Sequence, residues 1–269
     1  MSEHDEFQAG VPCWVDTLQP DPTAAIDFYS RLFGWEFAGP GPLAGGLPGQ
    51  YFVAQVGGRD VAGIGSLPGG SEGQVMASWN TYVRVESADA TAAKTADAGG
   101  TVLLAPFDDL TAGRGAVLAD PAGAPICVWE SAEREGAGRV NEPNTWTMSS
   151  LHTTDVDGAA PFYGALFGWE PETHGPVTLW RLPGHVGGEP QQPVPRDLVA
   201  VMTGIEPGSG VPTHWNVNFQ VADTDAFVER ARELGAMIVL EPVDTPTGFR
   251  GAAIADPQGA VFSVSALLR

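Results

Sequence analysis

The chain is written twice, and that constrains its fold more than any other feature. The stretch Ile26-Asp27-Phe28-Tyr29-Ser30-Arg31-Leu32-Phe33-Gly34-Trp35-Glu36 returns as Ala160-Pro161-Phe162-Tyr163-Gly164-Ala165-Leu166-Phe167-Gly168-Trp169-Glu170, with Phe28 and Phe162 standing 134 positions apart. Trp79-Asn80 returns as Trp215-Asn216, and Asp120-Pro121-Ala122-Gly123-Ala124 returns as Asp256-Pro257-Gln258-Gly259-Ala260, both 136 positions on. The second copy therefore carries a net insertion of two residues between its first and second motifs. Solenoid repeats run to roughly 20–50 residues, so a period this long marks a duplicated domain.

Within each copy the local chemistry repeats again. Residues 11–18 read as a strand that ends at Pro20-Asp21-Pro22, where Asp21 suits a helix N-cap and Pro22 its first turn. Gly34 stops that helix, and three short strands follow near 35–38, 51–57 and 61–66. A strand from Trp79 to Val85, a helix over 89–98 and three strands near 102–105, 115–119 and 125–130 repeat the plan. The chain is thus expected to be α+β, with four βαβββ modules, each half an eight-stranded cupped sheet with flanking helices. The expected boundaries are a first domain over 8–131, a linker over 132–145 and a second domain over 146–269. Phe-Tyr is read as aromatic packing of helix on sheet, and Asp-Pro-x-Gly as turn chemistry.

Composition narrows the partners. Thirteen Lys and Arg face 33 Asp and Glu, for a formal charge of −20, a field that repels nucleic-acid phosphates and anionic lipid. No apolar run approaches the roughly 18 residues of a membrane span, and the N-terminus lacks a secretory pattern, so a cytoplasmic protein is expected. Cys13 and Cys127 form neither a metal spacing nor a disulfide framework.

The helix ending Phe-Tyr-x3-Phe-Gly-Trp, the Gly-Gly and Gly-Ala turns after the second helix, and the closing Asp-Pro-x-Gly-Ala strand occur in order in both halves. This set resembles the vicinal oxygen chelate superfamily of glyoxalases, bleomycin-resistance proteins and extradiol dioxygenases, including a two-domain actinobacterial type often labelled hydroxylase. The resemblance implies metal ligands on the opening strand, on the strand that starts the second module, and on the last strand. Counting from the motifs puts these at Trp14 and Met148, Asn80 and Asn216, and Cys127 and Ser263. Divalent ions call for several convergent imidazoles, carboxylates or thiolates, so the implied metal site reads as degenerate and no cofactor is expected. A displaced divalent site would have to use His152 and His214.

Alternation along the strands turns Trp14, Asp16, Asn80, Tyr82, Cys127 and Trp129 into the first cup. Met148, Ser150, His152, His214, Asn216, Asn218 and Ser263 face into the second. Aromatic walls with a few amide and hydroxyl groups suit a small hydrophobic or aromatic metabolite, for sequestration, resistance or biosynthesis. The alternatives are a lyase, isomerase or dioxygenase of the same superfamily, metal-dependent or acid–base, in which Asp16 with Asn80 and Tyr82 could move a proton, and a protein whose sheets serve assembly. A monomer and a homodimer both accommodate four modules.

Overall fold

The computed structural model describes residues 7–67, 77–187, 195–206 and 208–268. The first half runs β1 (Pro12–Gln19), α1 (Pro22–Phe33), β2 (Glu36–Pro42), β3 (Gln50–Val56), β4 (Arg59–Ser66), β5 (Ser78–Arg84), α2 (Ala88–Thr95), β6 (Thr101–Asp109), β7 (Gly113–Ala119) and β8 (Pro125–Ser131). The second runs β9 (Thr145–Thr153), α3 (Val156–Phe167), β10 (Glu170–His174), β11 (Val177–Arg181), β12 (Leu198–Gly204), β13 (His214–Gln220), α4 (Thr224–Glu233), β14 (Met237–Asp244), β15 (Phe249–Ala255) and β16 (Val261–Leu267). Each half forms one eight-stranded sheet, ordered β2-β3-β4-β1-β5-β8-β7-β6 and β10-β11-β12-β9-β13-β16-β15-β14. Two βαβββ modules meet in each sheet where the opening strands run antiparallel, β1 against β5 and β9 against β13. No helix among the described residues is long and apolar enough to cross a membrane.

Local chemistry sets the elements. The Asp21 carboxylate accepts from the backbone N–H groups of Thr23 and Ala24 at 3.0 Å each, Pro22 opens α1, and Gly34 closes it at φ 75°. Asp155 and Gly168 do the same for α3. These caps satisfy amides that a helix end leaves without partners.

The strands differ from the sequence expectation where the pleat is interrupted. β2 extends to Pro42 and β6 spans Thr101–Asp109, both longer than expected. β2 shifts register between Ala38 and Gly41, and β6 between Val102 and Leu104 and again between Leu104 and Phe107. Each bulge breaks the two-residue alternation by which a strand is read from sequence. The stretch 132–145 is packed against the first sheet. Ala137 N donates to Cys13 O and Gly138 N to Asp60 O, both at 2.8 Å, and Ala137 and Val140 are buried.

The helices do not serve only their own half. Cys13 and Val15 of β1, Phe28, Tyr29, Leu32 and Phe33 of α1, Val217 and Phe219 of β13, Phe262 and Val264 of β16 and Phe227 of α4 share one buried cluster. The reciprocal cluster joins Phe162, Tyr163 and Phe167 of α3 to Ala88 and Ala92 of α2 and to Ile126 and Val128 of β8. Between the sheets the Thr81 and Ser149 hydroxyls meet at 2.7 Å. The repeated motifs turn out to be partners of one another. Trp79 Nε1 donates to Tyr29 Oη at 3.1 Å, and Tyr29 Oη donates to Asp256 Oδ2 at 2.8 Å. In the other direction Trp215 Nε1 donates to Tyr163 Oη at 2.9 Å, and Tyr163 Oη to Asp120 Oδ2 at 3.0 Å. The second oxygen of each Asp caps its own turn, Asp120 Oδ1 on the amides of Ala122 and Ala124, Asp256 Oδ1 on those of Gln258 and Ala260. Side chains of the opposite parity on β1, β5, β9 and β13 point away from this core into the cups.

Candidate functional site

The first cup encloses a cavity of about 320 Å3, within the lower part of the roughly 300–1,000 Å3 range of small-molecule pockets. All six residues read from the sequence as facing this cup (Trp14, Asp16, Asn80, Tyr82, Cys127 and Trp129) line it. Pairing places Asp16 opposite Asn80 and Trp14 opposite Tyr82, while Tyr82 lies beside Cys127 and Arg84 beside Trp129. The opening-strand position across from Asn80 is therefore Asp16, two residues beyond the Trp14 reached by counting.

Asp16 is the chemical centre of the floor. Its Oδ1 accepts from Asn80 Nδ2 at 2.8 Å, and its Oδ2 from Tyr82 Oη at 2.9 Å and Tyr51 Oη at 3.0 Å. Trp14 Nε1 donates in turn to Tyr51 Oη at 3.0 Å. Only 3% of Asp16 is exposed. Burial raises its pKa above the usual carboxylate value, opposed by the donors from Asn80, Tyr82 and Tyr51. Burial and the adjacent Asp16 charge push both tyrosine hydroxyls well above their ordinary range, so each stays protonated and able to donate.

The sequence reading missed Tyr51. Two glycines on β4 make its place: a Cβ on Gly63 would lie 1.8 Å from Tyr51 Oη, and one on Gly65 3.0 Å from Tyr51 Cδ2. Alternate glycines in a strand signal a close neighbour over the sheet, and Gly63-Ile64-Gly65 carries that signal. The wall is mostly apolar, with Leu18, Leu43, Leu47, Leu104, Phe107 and Val117, and carries one further hydroxyl at Ser78. Leu43 and Leu47 come from the Gly/Pro-rich stretch 39–50, which thus serves as a rim. Its counterpart, 183–195, lies partly outside the described residues. Arg134 also lines the cavity, with its guanidinium 5.7 Å from the centroid of the Trp14 ring. Asp109 lines it too, and burial raises its carboxyl pKa against the pull of Arg134.

The second cup has different chemistry at the matching positions. Ser150 pairs with Asn216, Met148 with Asn218, and Asn218 with Ser263. Asn216 Nδ2 donates to Ser263 Oγ and Asn218 Nδ2 to Ser265 Oγ, both at 2.8 Å. The His152 and His214 rings stack at 5.0 Å between centroids. His152 Nε2 meets Ser150 Oγ at 3.2 Å and its Nδ1 meets Thr203 Oγ1 at 2.9 Å. Burial and the neighbouring His214 bring the His152 pKa down to about 4.

A family model described as a glyoxalase-like domain matches this chain twice, over residues 14–129 and 132–265. The chain belongs to the glyoxalase-like family. Among its relatives, the protein named "Putative glyoxylase CFP32" from Mycobacterium bovis is 36% identical over 273 residues, covering 98% of this chain and 97% of that one. The anthracycline biosynthesis protein DnrV of Streptomyces peucetius is 36% identical over 268 residues, covering 96% and 94%. The glyoxalase-like fold extends to solved structures of the vicinal oxygen chelate superfamily. The Mn(II)-bound glyoxalase from Novosphingobium aromaticivorans superposes with a TM-score of 0.64 at 17% identity, over 97% of this chain and 83% of that one. The 2,3-dioxygenase LapB from Pseudomonas sp. KL28 gives 0.64 at 12% identity, over 98% and 94%.

The sequence resemblance implies metal positions in the cups, and the donor set of this glyoxalase-like chain does not fit a metal. Among the described residues no group of three His, Cys, Asp or Glu converges. In the first cup the sole carboxylate on the floor already accepts three hydrogen bonds. Burial, with the Asp16 charge, pushes the Cys127 thiol far above its ordinary pKa, away from the thiolate that a metal needs. In the second cup the matching strands present hydroxyls and amides. The two imidazoles are stacked, with both His152 nitrogens already in hydrogen-bonding contact.

Proposed function

We propose that the first cup binds a planar, largely apolar aromatic metabolite without the help of a metal. The observation that carries this reading is the cavity itself, walled mostly by apolar side chains, with its polar groups gathered around Asp16 and supplied otherwise by Ser78, Asp109 and Arg134. Trp14, Trp129 and Phe107 offer ring faces and edges to a flat ligand, while the Asp16 cluster fixes its orientation. The name of the Streptomyces relative, an anthracycline biosynthesis protein, supports a polycyclic aromatic ligand and a biosynthetic setting. Calorimetric titration with 1,4-dihydroxyanthraquinone tests the reading. One saturable site is expected, weakened more than tenfold by Val117→Phe, which fills the wall, and unchanged by His152→Asn in the other cup. Absence of binding, or binding indifferent to Val117→Phe, would refute it.

A second reading, proton transfer, is favoured by one observation: a buried carboxylate with a raised pKa faces the cavity. Asp16 would take a proton from carbon next to a ligand carbonyl and return it. The measurement is exchange of the C2 protons of 1-tetralone in D2O, followed by NMR. Acceleration that disappears in Asp16→Asn supports this chemistry, and exchange at the uncatalysed rate removes it.

A further inference from the structure

The polar groups of the first cup are sorted by type, and the sorting specifies the ends of the ligand. At the floor, Tyr82 Oη, Tyr51 Oη and one Asn80 N–H all donate to Asp16, and Tyr51 also accepts from Trp14. A phenol has one O–H and two lone pairs, and a carboxylate oxygen has more than one acceptor site. The floor thus keeps free lone pairs on Tyr82, Tyr51 and Asp16 Oδ1 against one remaining amide N–H and the weakly donating Cys127 thiol beside Tyr82. It accepts hydrogen bonds far better than it donates them.

Arg134 is the reverse. Arg134 brings a guanidinium to the cavity, and among the described residues that group has no hydrogen bond or ion pair; its contact is the Trp14 ring at 5.7 Å. The backbone beneath it is fixed, since Arg134 N donates to Ala112 O at 3.0 Å and Arg134 O accepts from Trp129 Nε1 at 2.8 Å. In a chain with 33 acidic and 13 basic residues, Arg114, Arg181, Arg232 and Arg250 are each held by carboxylates. An arginine left with its fork of donors open beside an apolar cavity is poised for a planar anion. Asp109 is the second carboxylate that lines the cavity, and among the described residues no ion pair joins it to Arg134.

Building on the aromatic-ligand reading above, we propose that the first cup selects a hydroxylated aromatic acid and holds it in one orientation, with the hydroxyl donating to the Asp16 floor and the carboxylate against Arg134. Arg134 is then the specificity-determining residue, and Asp109 is a tuning charge that opposes the ligand.

Isothermal titration with 6-hydroxy-2-naphthoate and its uncharged isostere 6-hydroxy-2-naphthamide tests this directly. The wild-type protein is expected to bind the acid at least tenfold more tightly than the amide. Arg134→Gln should bring the acid down to the level of the amide while moving the amide less than twofold. Arg134→Lys should keep part of the preference, and Asp109→Asn should tighten the acid several-fold. Deleting the hydroxyl, as in 2-naphthoate, should weaken binding several-fold. Equal binding of acid and amide, or equal loss of both in Arg134→Gln, overturns the assignment of Arg134 but leaves the aromatic cavity standing. Preference for the ammonium probe 6-(aminomethyl)-2-naphthol over the acid overturns it with the opposite sign. Failure of every probe to bind removes the aromatic-ligand reading together with this one.

Discussion

Tyr29 and Asp256 lie 227 positions apart in the chain and 2.8 Å apart in space. This bond is the first half's hold on the second, returned by Tyr163 on Asp120 at 3.0 Å. Asp256 Oδ2 also accepts from Gln19 at 2.8 Å, whereas the same oxygen of Asp120 has the tyrosine as its side-chain partner. Hydrogen bonds to charged groups contribute about 1.5–3 kcal/mol. Tyr163→Phe should therefore cost about 2 kcal/mol in urea unfolding and Tyr29→Phe less, with a single transition kept in both. Two separated transitions would show that the halves are not fastened this way.

The two halves should not be stable apart. Because α1 is buried with β13, β16 and α4, and α3 with α2 and β8, a fragment ending at residue 131 exposes half of a shared core. Each fragment alone is expected to lack a cooperative melt, and mixing the two should restore one. A sharp independent melt of either fragment contradicts the shared core.

At Gly63 a methyl group would sit 1.8 Å from Tyr51 Oη and 3.0 Å from Asp16 Cβ. Gly63→Ala should destabilise by about 1–3 kcal/mol, the usual cost of overpacking, and abolish aromatic-probe binding by driving Tyr51 off Asp16. In a Tyr51→Ala background the same substitution should cost much less, and the double-mutant cycle measures that coupling.

His152 predicts an acid limb. Its folded pKa is depressed to about 4 from an ordinary 6.5, so between these values the unfolded chain binds more protons than the folded one. Its contribution is full above pH 6.5 and is lost as pH falls towards 4. Melting temperature should drop across pH 6.5–4, and His152→Asn should flatten that drop. An identical pH profile in the variant would show that His152 does not titrate as described.

Metal offers an independent check. Dialysis against EDTA followed by Mn(II), Fe(II) or Zn(II) should leave the melting temperature unchanged, because a ligand that binds only the folded state raises it. A saturable rise, or near-stoichiometric metal after purification without chelator, would reverse the reading of the donor set.

Much of this was legible in the sequence. The duplication and the four modules follow from motif order, because a duplicated fold repeats its caps and turns, and the same motifs carry the resemblance to glyoxalases. The inward face of the first cup was legible too, since β1 and β5 alternate regularly over Trp14, Asp16, Asn80 and Tyr82. Arg134 and Asp109 were not. Arg134 belongs to a Gly- and charge-rich stretch with no period, and Asp109 follows two bulges that scramble the parity of β6. The crossed tyrosines lay hidden for another reason. Phe-Tyr and Asp-Pro-x-Gly occur once per copy, and nothing in either motif says which copy will answer it.

The fastening of this molecule and the lining of its cups occupy opposite faces of the same strands. On β5, Trp79 reaches back to Tyr29 while Asn80 reaches forward to Asp16; on β13, Trp215 and Asn216 divide the same two duties. Polar side chains in one bowl can therefore be exchanged for others without touching the crossed tyrosine bonds, which is how one half can carry a carboxylate where its twin carries hydroxyls and imidazoles.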